Sequence, residues 1–221
     1  ASRSYTGDPR VFYSPSVGPL IDVGVYMLHT MTGLFGPARR IQAMGGIMIP
    51  QRKILIESMF GETVDVKAPD LYTINIDFGD NRYGHLLNSF AIPNSKSPMF
   101  ELYASMGAVS VSREQWYVGS GTTDVYLRDE SESGEREGWT DGVEPPRVVE
   151  TDGILESGIL HALDSLEKGT PNLLTAAHAT HVLEIMIAIN RAIGTGETIE
   201  ITSTFDPEGE REPARSGGRP A

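Results

Sequence analysis

The chain has no cysteine, which excludes disulfides and thiolate metal centres. It has no apolar run near the roughly 18 residues that a membrane-spanning helix requires, and its first residues do not form a charged-then-apolar leader. Positive charge is scarce: 18 Lys and Arg stand against 30 Asp and Glu, for a formal net charge of −12. That is the wrong sign for a phosphate backbone, so neither nucleic acid nor membrane is an expected partner. Absence of cysteine is compatible with a reducing cytoplasm, which is the expected location. What remains is 221 residues, 39% of them hydrophobic, enough for the core of one large domain.

The most informative stretch is Val17-Gly-Pro-Leu-Ile-Asp-Val-Gly-Val-Tyr-Met-Leu-His29. Gly18-Pro19 suits a helix start and Gly36-Pro37 a stop. Within that helix Asp22 and Tyr26, four apart, share a face, and His29 and Gly33 continue the stripe. Leu20, Ile21, Val23, Val25, Leu28 and Met31 make the other flanks apolar, so the helix should be buried on most sides. A polar stripe on a buried helix is either bonded internally or lines a cavity. Under the first reading Asp22 caps backbone donors near the helix start and Tyr26 and His29 are ordinary core residues. Under the second, a carboxylate and a phenol facing a cavity are parts of a proton-transfer site.

Phe12-Tyr-Ser-Pro-Ser-Val-Gly-Pro-Leu-Ile-Asp-Val-Gly-Val-Tyr26, with the helix ending Leu34-Phe-Gly-Pro37, resembles the start of the second domain in the glucose–fructose oxidoreductase / inositol dehydrogenase / MocA-like (Gfo/Idh/MocA) family. Leu173–Asn190 is similar to that family's last long helix and Thr198–Ile201 to its final strand, while the middle matches in strand rhythm only. The resemblance implies that Asp22 and Tyr26 are catalytic, working beside a lysine from an N-terminal nucleotide-binding domain. It also implies NAD or NADP in the parent enzyme, approached closely by backbone at Gly18. The turn there reads Ser16-Val17-Gly18 where members have a run of glycines, and position 26 carries Tyr where His is commoner.

No Gly-x-Gly-x-x-Gly follows a strand in this chain, and no β-α-β unit precedes residue 18. Gly45-Gly46 opens no helix. The expectation is therefore a C-terminal domain without its nucleotide-binding partner domain, inactive alone and holding no cofactor.

Strands are expected at Arg39–Ile49, Leu71–Phe78, Tyr83–Ala91, Phe100–Ser105, Val109–Arg113 and Asp124–Arg128. Tyr72, Ile74, Ile76 and Phe78 fall on one face, and Phe78-Gly-Asp-Asn-Arg-Tyr83 turns that strand into an antiparallel hairpin. The acidic stretch from Asp129 to Glu144 reads as a solvated loop. Ile154–Lys168 reads as a helix with Leu155, Ile159, Leu163 and Leu166 inward, and Leu174–Ile193 as the last long helix. Strands clustered between helices give an α+β domain over residues 1–205: an open, mostly antiparallel mixed sheet with helices on one face. Residues 206–221 read as a tail. The other sheet face, with Thr73, Asn75, Asp77, Asn88 and Ser89, is either solvated or pairs copies into a homodimer or tetramer, as the resembling family does.

His178 and His181 stand three apart, with Glu184 three further on. Two metal ligands at that spacing lack a third, so no metal is expected and both read as helix-surface histidines. The resemblance places their segment at the substrate cleft, which makes His29, His178 and His181 substrate-binding candidates. His85 and His161 receive no role. Two functional classes follow. One is the substrate-binding and oligomerising half of a nicotinamide-dependent oxidoreductase for a sugar, polyol or related compound, including enzymes that cleave glycosides by transient oxidation. The other is a non-catalytic binding or assembly module.

Overall fold

Alternation of apolar and polar residues decides the main sheet. In the computed structural model the described residues are 7–112, 123–131, 133–135, 137–143, 154–173 and 175–207. They fall into two compact units, 1–93 with 171–221, and 94–170. The fold is α+β, and every strand pairing among the described residues is antiparallel. The strands divide into separate sheets where a single open sheet was expected.

In the first unit, β1 (Arg40–Gly46), β4 (Leu71–Gly79), β5 (Arg82–Ser89) and β10 (Ile199–Glu200) form a sheet ordered β10-β1-β4-β5. Tyr72, Ile74, Ile76 and Phe78 are each at most 1% exposed, as the alternation requires. Asp80 and Asn81 turn β4 into β5 with φ of 53° and 60°, the left-handed pair that matches strand twist in a tight hairpin. Two helices, α1 (Val25–Phe35) and α3 (Ala176–Thr195), cover the inner face. Thr175 caps α3 by accepting the His178 N–H at 3.0 Å, and Gly196 ends it in the left-handed conformation.

The outer face carries a register-ordered gradient. One row is Arg40–Asp77–Tyr83, the next Gln42–Asn75–His85, the last Met44–Thr73–Leu87. Met44 is 76% exposed and Leu87 53%, so the face runs from charged to apolar. Asn88 does not join it. Alternation turns its side chain inward, and it is buried against Gly24 with its Oδ1 unpartnered.

Two three-residue strands that the sequence did not announce, β2 (Gln51–Lys53) and β3 (Thr63–Asp65), pair beside the sheet. Tyr13, Ile54, Ile56, Val64 and Val66 bury a satellite core there, with Met59 and Phe90 against it. Asp70 accepts the Met48 and Ile49 N–H groups and Arg52 Nη2.

The second unit is a meander of β6 (Phe100–Ala104), β7 (Gly107–Val111), β8 (Thr123–Leu127) and β9 (Gly138–Val143), followed by α2 (Ile154–Lys168). Strand β9 corrects the acidic-loop expectation: Trp139 packs its ring 5.6 Å from that of Tyr126, and the Tyr126 hydroxyl donates to Glu137 at 2.9 Å. The inward face expected of α2 is also corrected. Ile159, Leu163 and Leu166 are 66%, 49% and 62% exposed, because periodicity marks an apolar stripe without saying what covers it. The Leu155 side chain, Arg113, Glu144 and residues 208–221 lie outside the described residues. No helix among the described residues is long and apolar enough to cross a membrane.

Candidate functional site

The Asp22 helix is not a regular α-helix. Leu20–Gly24 forms a π turn that leads into α1, which widens the helix by one residue and changes the alignment of Asp22 with Tyr26. Such turns inside helices are frequent at functional sites. Leu20, Leu28, Met31 and Thr32 are buried, each at most 5% exposed. The opposite side is open, where burial on most sides was expected: Tyr26 is 52% and Leu34 54% exposed. Gly36 ends α1 at φ 80°, its N–H donating to the Thr32 carbonyl at 2.8 Å.

Asp22 sits half-buried on the π turn. Among the described residues nothing hydrogen-bonds its carboxylate, and burial raises its pKa above the usual carboxylate value. Among the described residues it caps no backbone donor. It therefore holds acceptor capacity that the described residues do not use, one turn from an exposed phenol.

The histidines separate sharply. His29 and His178 come together edge-to-face with ring centroids 4.8 Å apart. Thr32 Oγ1 lies 2.7 Å from His178 Nε2, and Phe205 stacks on the His178 ring at 4.0 Å with planes 7° apart. Burial lowers the pKa of both, and for His29 the proximity of His178 lowers it further.

His181 is not a surface histidine. It is 0% exposed, its Nε2 accepts the Ala38 N–H at 2.9 Å, and Nδ1 lies 3.0 Å from the Ser203 carbonyl. The acceptor role of Nε2 assigns the proton to Nδ1, and burial pushes the pKa down. Both nitrogens are engaged within the fold, so His181 ties the chain's last described segment to α3 and has no ring atom to offer a substrate.

Glu184 completes that clasp. Thr202 donates to it through N–H and hydroxyl, and Ser203 through N–H, at 2.8–2.9 Å. Burial opposes its ionisation, but these bonds prevail and hold its pKa down at about 2. Sequence reading missed Thr32, Ser203 and Phe205 as neighbours of the histidines. A lone aromatic just past the final strand was the available signal.

Gly18 does not fit a dinucleotide. Phosphate binding needs a glycine turn open at a helix N-terminus, whereas Gly18 is buried at φ 61° with the Pro69 carbonyl and Ala68 Cβ 3.0 and 3.1 Å from where its own Cβ would stand. The close approach is to the chain's own backbone. Among the described residues no three His, Asp or Glu are placed to hold a metal ion. A charged groove of about 450 Å³ lies elsewhere, at the β4–β5 turn, lined by Arg39, Arg40, Asp77, Asp80 and Tyr83 among others. Arg40 pairs with Asp77 and Arg39 with Asp80, so both arginines are already engaged.

A family model described as GFO/IDH/MocA C-terminal domain matches residues 2–110. No curated protein matches the chain in sequence. Among solved structures, an NAD-binding oxidoreductase from Klebsiella pneumoniae is similar with TM-score 0.66 and 15% identity, over 89% of this chain and 54% of that one. The aldose–aldose oxidoreductase of Caulobacter crescentus, complexed with glycerol, gives TM-score 0.64 and 15% identity over 89% and 52%. An oxidoreductase from Agrobacterium radiobacter, in complex with NAD+, L-tartaric acid and magnesium, gives 0.58 and 14% over 82% and 48%. At these identities the likeness is one of fold, and the chain spans about half the length of each of these structures.

Proposed function

We propose, from the premise that this chain belongs through residues 2–110 to the GFO/IDH/MocA C-terminal-domain family, that it is the substrate-binding and oligomerising half of a nicotinamide-dependent oxidoreductase. Its substrate is a sugar, polyol or related hydroxyl or carbonyl compound. The observation that carries this reading is Asp22: a half-buried carboxylate without a hydrogen-bond partner among the described residues, on a π turn beside exposed Tyr26.

Oxidation of an alcohol removes the hydroxyl proton as well as a hydride, and this chain's part is the proton. Asp22 offers its carboxylate oxygens to a cation or donor from outside the chain, which restores the charged form that burial disfavours. Tyr26 Oη, on the exposed side of the helix that follows the π turn, positions or exchanges the substrate's hydroxyl proton. NAD or NADP is held by a separate N-terminal domain, a reading that the match to a C-terminal-domain family supports. The apolar end of the outer sheet face supports pairing of copies. A cytoplasmic location fits a chain without cysteine.

The test is kinetic, in the complete enzyme that contains this chain. Asp22→Asn and Tyr26→Phe are near-isosteric. Loss of acid–base assistance lowers kcat by about 10²-fold or more in each, and for Tyr26→Phe kcat falls more than KM rises. Near-wild-type kinetics in both variants would return the stripe to a structural role.

A further inference from the structure

Charge is spread unevenly over the first unit. Its ion pairs among the described residues lie on strands, loops and the first segment, and α1 and α3 carry none of them. Val25–Phe35 holds no charged side chain. Ala176–Asn190 holds only Glu184, whose oxygens are taken by Thr202 and Ser203. A helix layer that meets water ordinarily turns a charged stripe outward. This one turns out Tyr26, Thr30 and Leu34 from α1, and Leu183 and Ile187 from α3. Residues four apart share a helix face. Leu34, Leu183 and Ile187 are 54%, 50% and 61% exposed. Thr30 donates its hydroxyl to the Tyr26 carbonyl at 2.9 Å, so its hydrogen bond is spent within the helix. On the inward side Val182, Ile185 and Ile189 are each at most 1% exposed. Helix α3 is therefore apolar on both sides, and a helix of that kind belongs in an interior.

Three observations say what covers this layer. The α1 stripe is continuous with the candidate site, because Tyr26 heads it. Hydride transfer needs the nicotinamide within reach of the carbon whose hydroxyl proton meets Tyr26, so its carrier lies on the open side of α1. The chain also spans only 48–54% of solved structures that include an NAD-binding oxidoreductase and one in complex with NAD+. A second copy has its own candidate surface, the apolar row on the outer face of the sheet, which α1 and α3 do not reach. A surface bare of charge offers no ion pair to a strongly acidic or basic partner.

We propose that the open side of α1 and α3 is the seat of the nicotinamide-binding domain, which meets it with an uncharged, apolar face. The inference rests on the oxidoreductase reading above. Leu34, Leu183 and Ile187 supply the apolar contact, and Tyr26 stands at the seam where substrate and nicotinamide meet. At 1.5 Å per residue the two helices run about 16 and 30 Å, long enough for an interdomain contact of about 600–1,500 Å².

Hydroxyl-radical footprinting compares this chain with the complete enzyme that contains it. Labelling of Leu34, Leu183 and Ile187 should fall about threefold or more in the complete enzyme, as water leaves an interface core. Phe60, 62% exposed beside the satellite core, should label alike in both. Equal labelling of the three aliphatic residues in both proteins overturns the seat. Protection that arises in this chain alone as its concentration is raised makes a second copy the occupant, and overturns it too. Leu183→Glu with Ile187→Lys supplies a functional arm, since a Glu–Lys pair at that spacing supports the helix. In the complete enzyme this double variant should keep its affinity for NAD(H), read by titration, while kcat/KM for the alcohol falls about tenfold. Unchanged kcat/KM there, with Asp22→Asn impaired, overturns the seat and leaves the oxidoreductase reading standing. Wild-type kinetics in Asp22→Asn removes that reading, and the nicotinamide-binding domain as occupant with it.

Discussion

Asp70, 1% exposed, receives the Arg52 Nη2 at 2.7 Å while the same guanidinium lies 5.4 Å from the centre of the Tyr13 ring. The carboxylate also takes the Met48 N–H at 2.6 Å, so one buried charge fixes both the Ile47–Ile49 loop and the satellite core. Removing one partner of such a pair leaves an uncompensated charge. Asp70→Ala is expected to cost about 3–5 kcal/mol, and Arg52→Met, which removes the other charge but keeps volume, clearly less than Arg52→Ala. Urea unfolding checks this. A loss below about 1 kcal/mol for Asp70→Ala would mean that the pair is solvated and dispensable.

Gly18→Ala tests whether that position belongs to the fold. Its φ of 61° disfavours any side chain, and the new methyl meets the Pro69 carbonyl at 3.0 Å. The expected cost is about 1–3 kcal/mol, read as a lowered melting temperature. Were Gly18 instead a ligand contact on an unstrained turn, stability would hold and only binding would suffer.

The acid limb of stability should show two stages. His29, His178 and His181 have pKa values lowered from 6.5 by burial. The unfolded chain therefore binds more protons as pH falls through 6.5, and stability that is full above that value declines below it. Glu184 acts lower: its folded value of about 2 lies under the ordinary 4.5, so its contribution is present above 4.5 and lost between there and about 2. Asp22 runs the other way. Its raised pKa makes the ionised form a liability above that pKa, so Asp22→Asn should raise the neutral-pH melting temperature slightly. Calorimetry from pH 8 to pH 3, on wild type and on Glu184→Gln, separates the stages; the variant should lose the lower one.

Assembly should depend on the apolar end of the outer sheet face. Met44→Asp with Leu87→Lys puts charge into the Met44–Thr73–Leu87 row. If two copies pair there, burying about 1,200 Å² or more in total, light scattering will show a dimer in wild type and a monomer in the double variant. A wild-type monomer at high concentration would show the face to be solvated.

The β4–β5 hairpin was fully legible because its signal is local: a strict two-residue period and a two-residue turn. The helix bounds Ile154–Lys168 were legible for the same reason, but not the exposure of Ile159 and Leu163, which depends on what lies opposite. Strands β2 and β3 escaped because three residues define no period, and β9 because its acidic neighbours outweighed Trp139. The π turn is invisible in Leu-Ile-Asp-Val-Gly, whose composition suits an α-helix equally well. Asp22 and Tyr26 were singled out by their spacing together with the resemblance of their segment. What separates His178 from His181 is set by partners far along the chain, Thr32 and Ala38 on one side and Ser203 and Phe205 on the other, and spacing carries no trace of them.

The clasp of Thr202 and Ser203 over α3 has a consequence for biogenesis. Thr32 meets His178 across 146 residues, and Ala38 meets His181 across 143. Contacts of such separation form late, since a long loop must close before they repay it. On a ribosome, α1 is made early and waits with its apolar face uncovered until α3 and the segment ending at Phe205 have emerged. The Asp22 helix therefore acquires its histidine neighbours only after α3 has been made, and a nascent chain stopped before Ala176 leaves the apolar face of α1 uncovered.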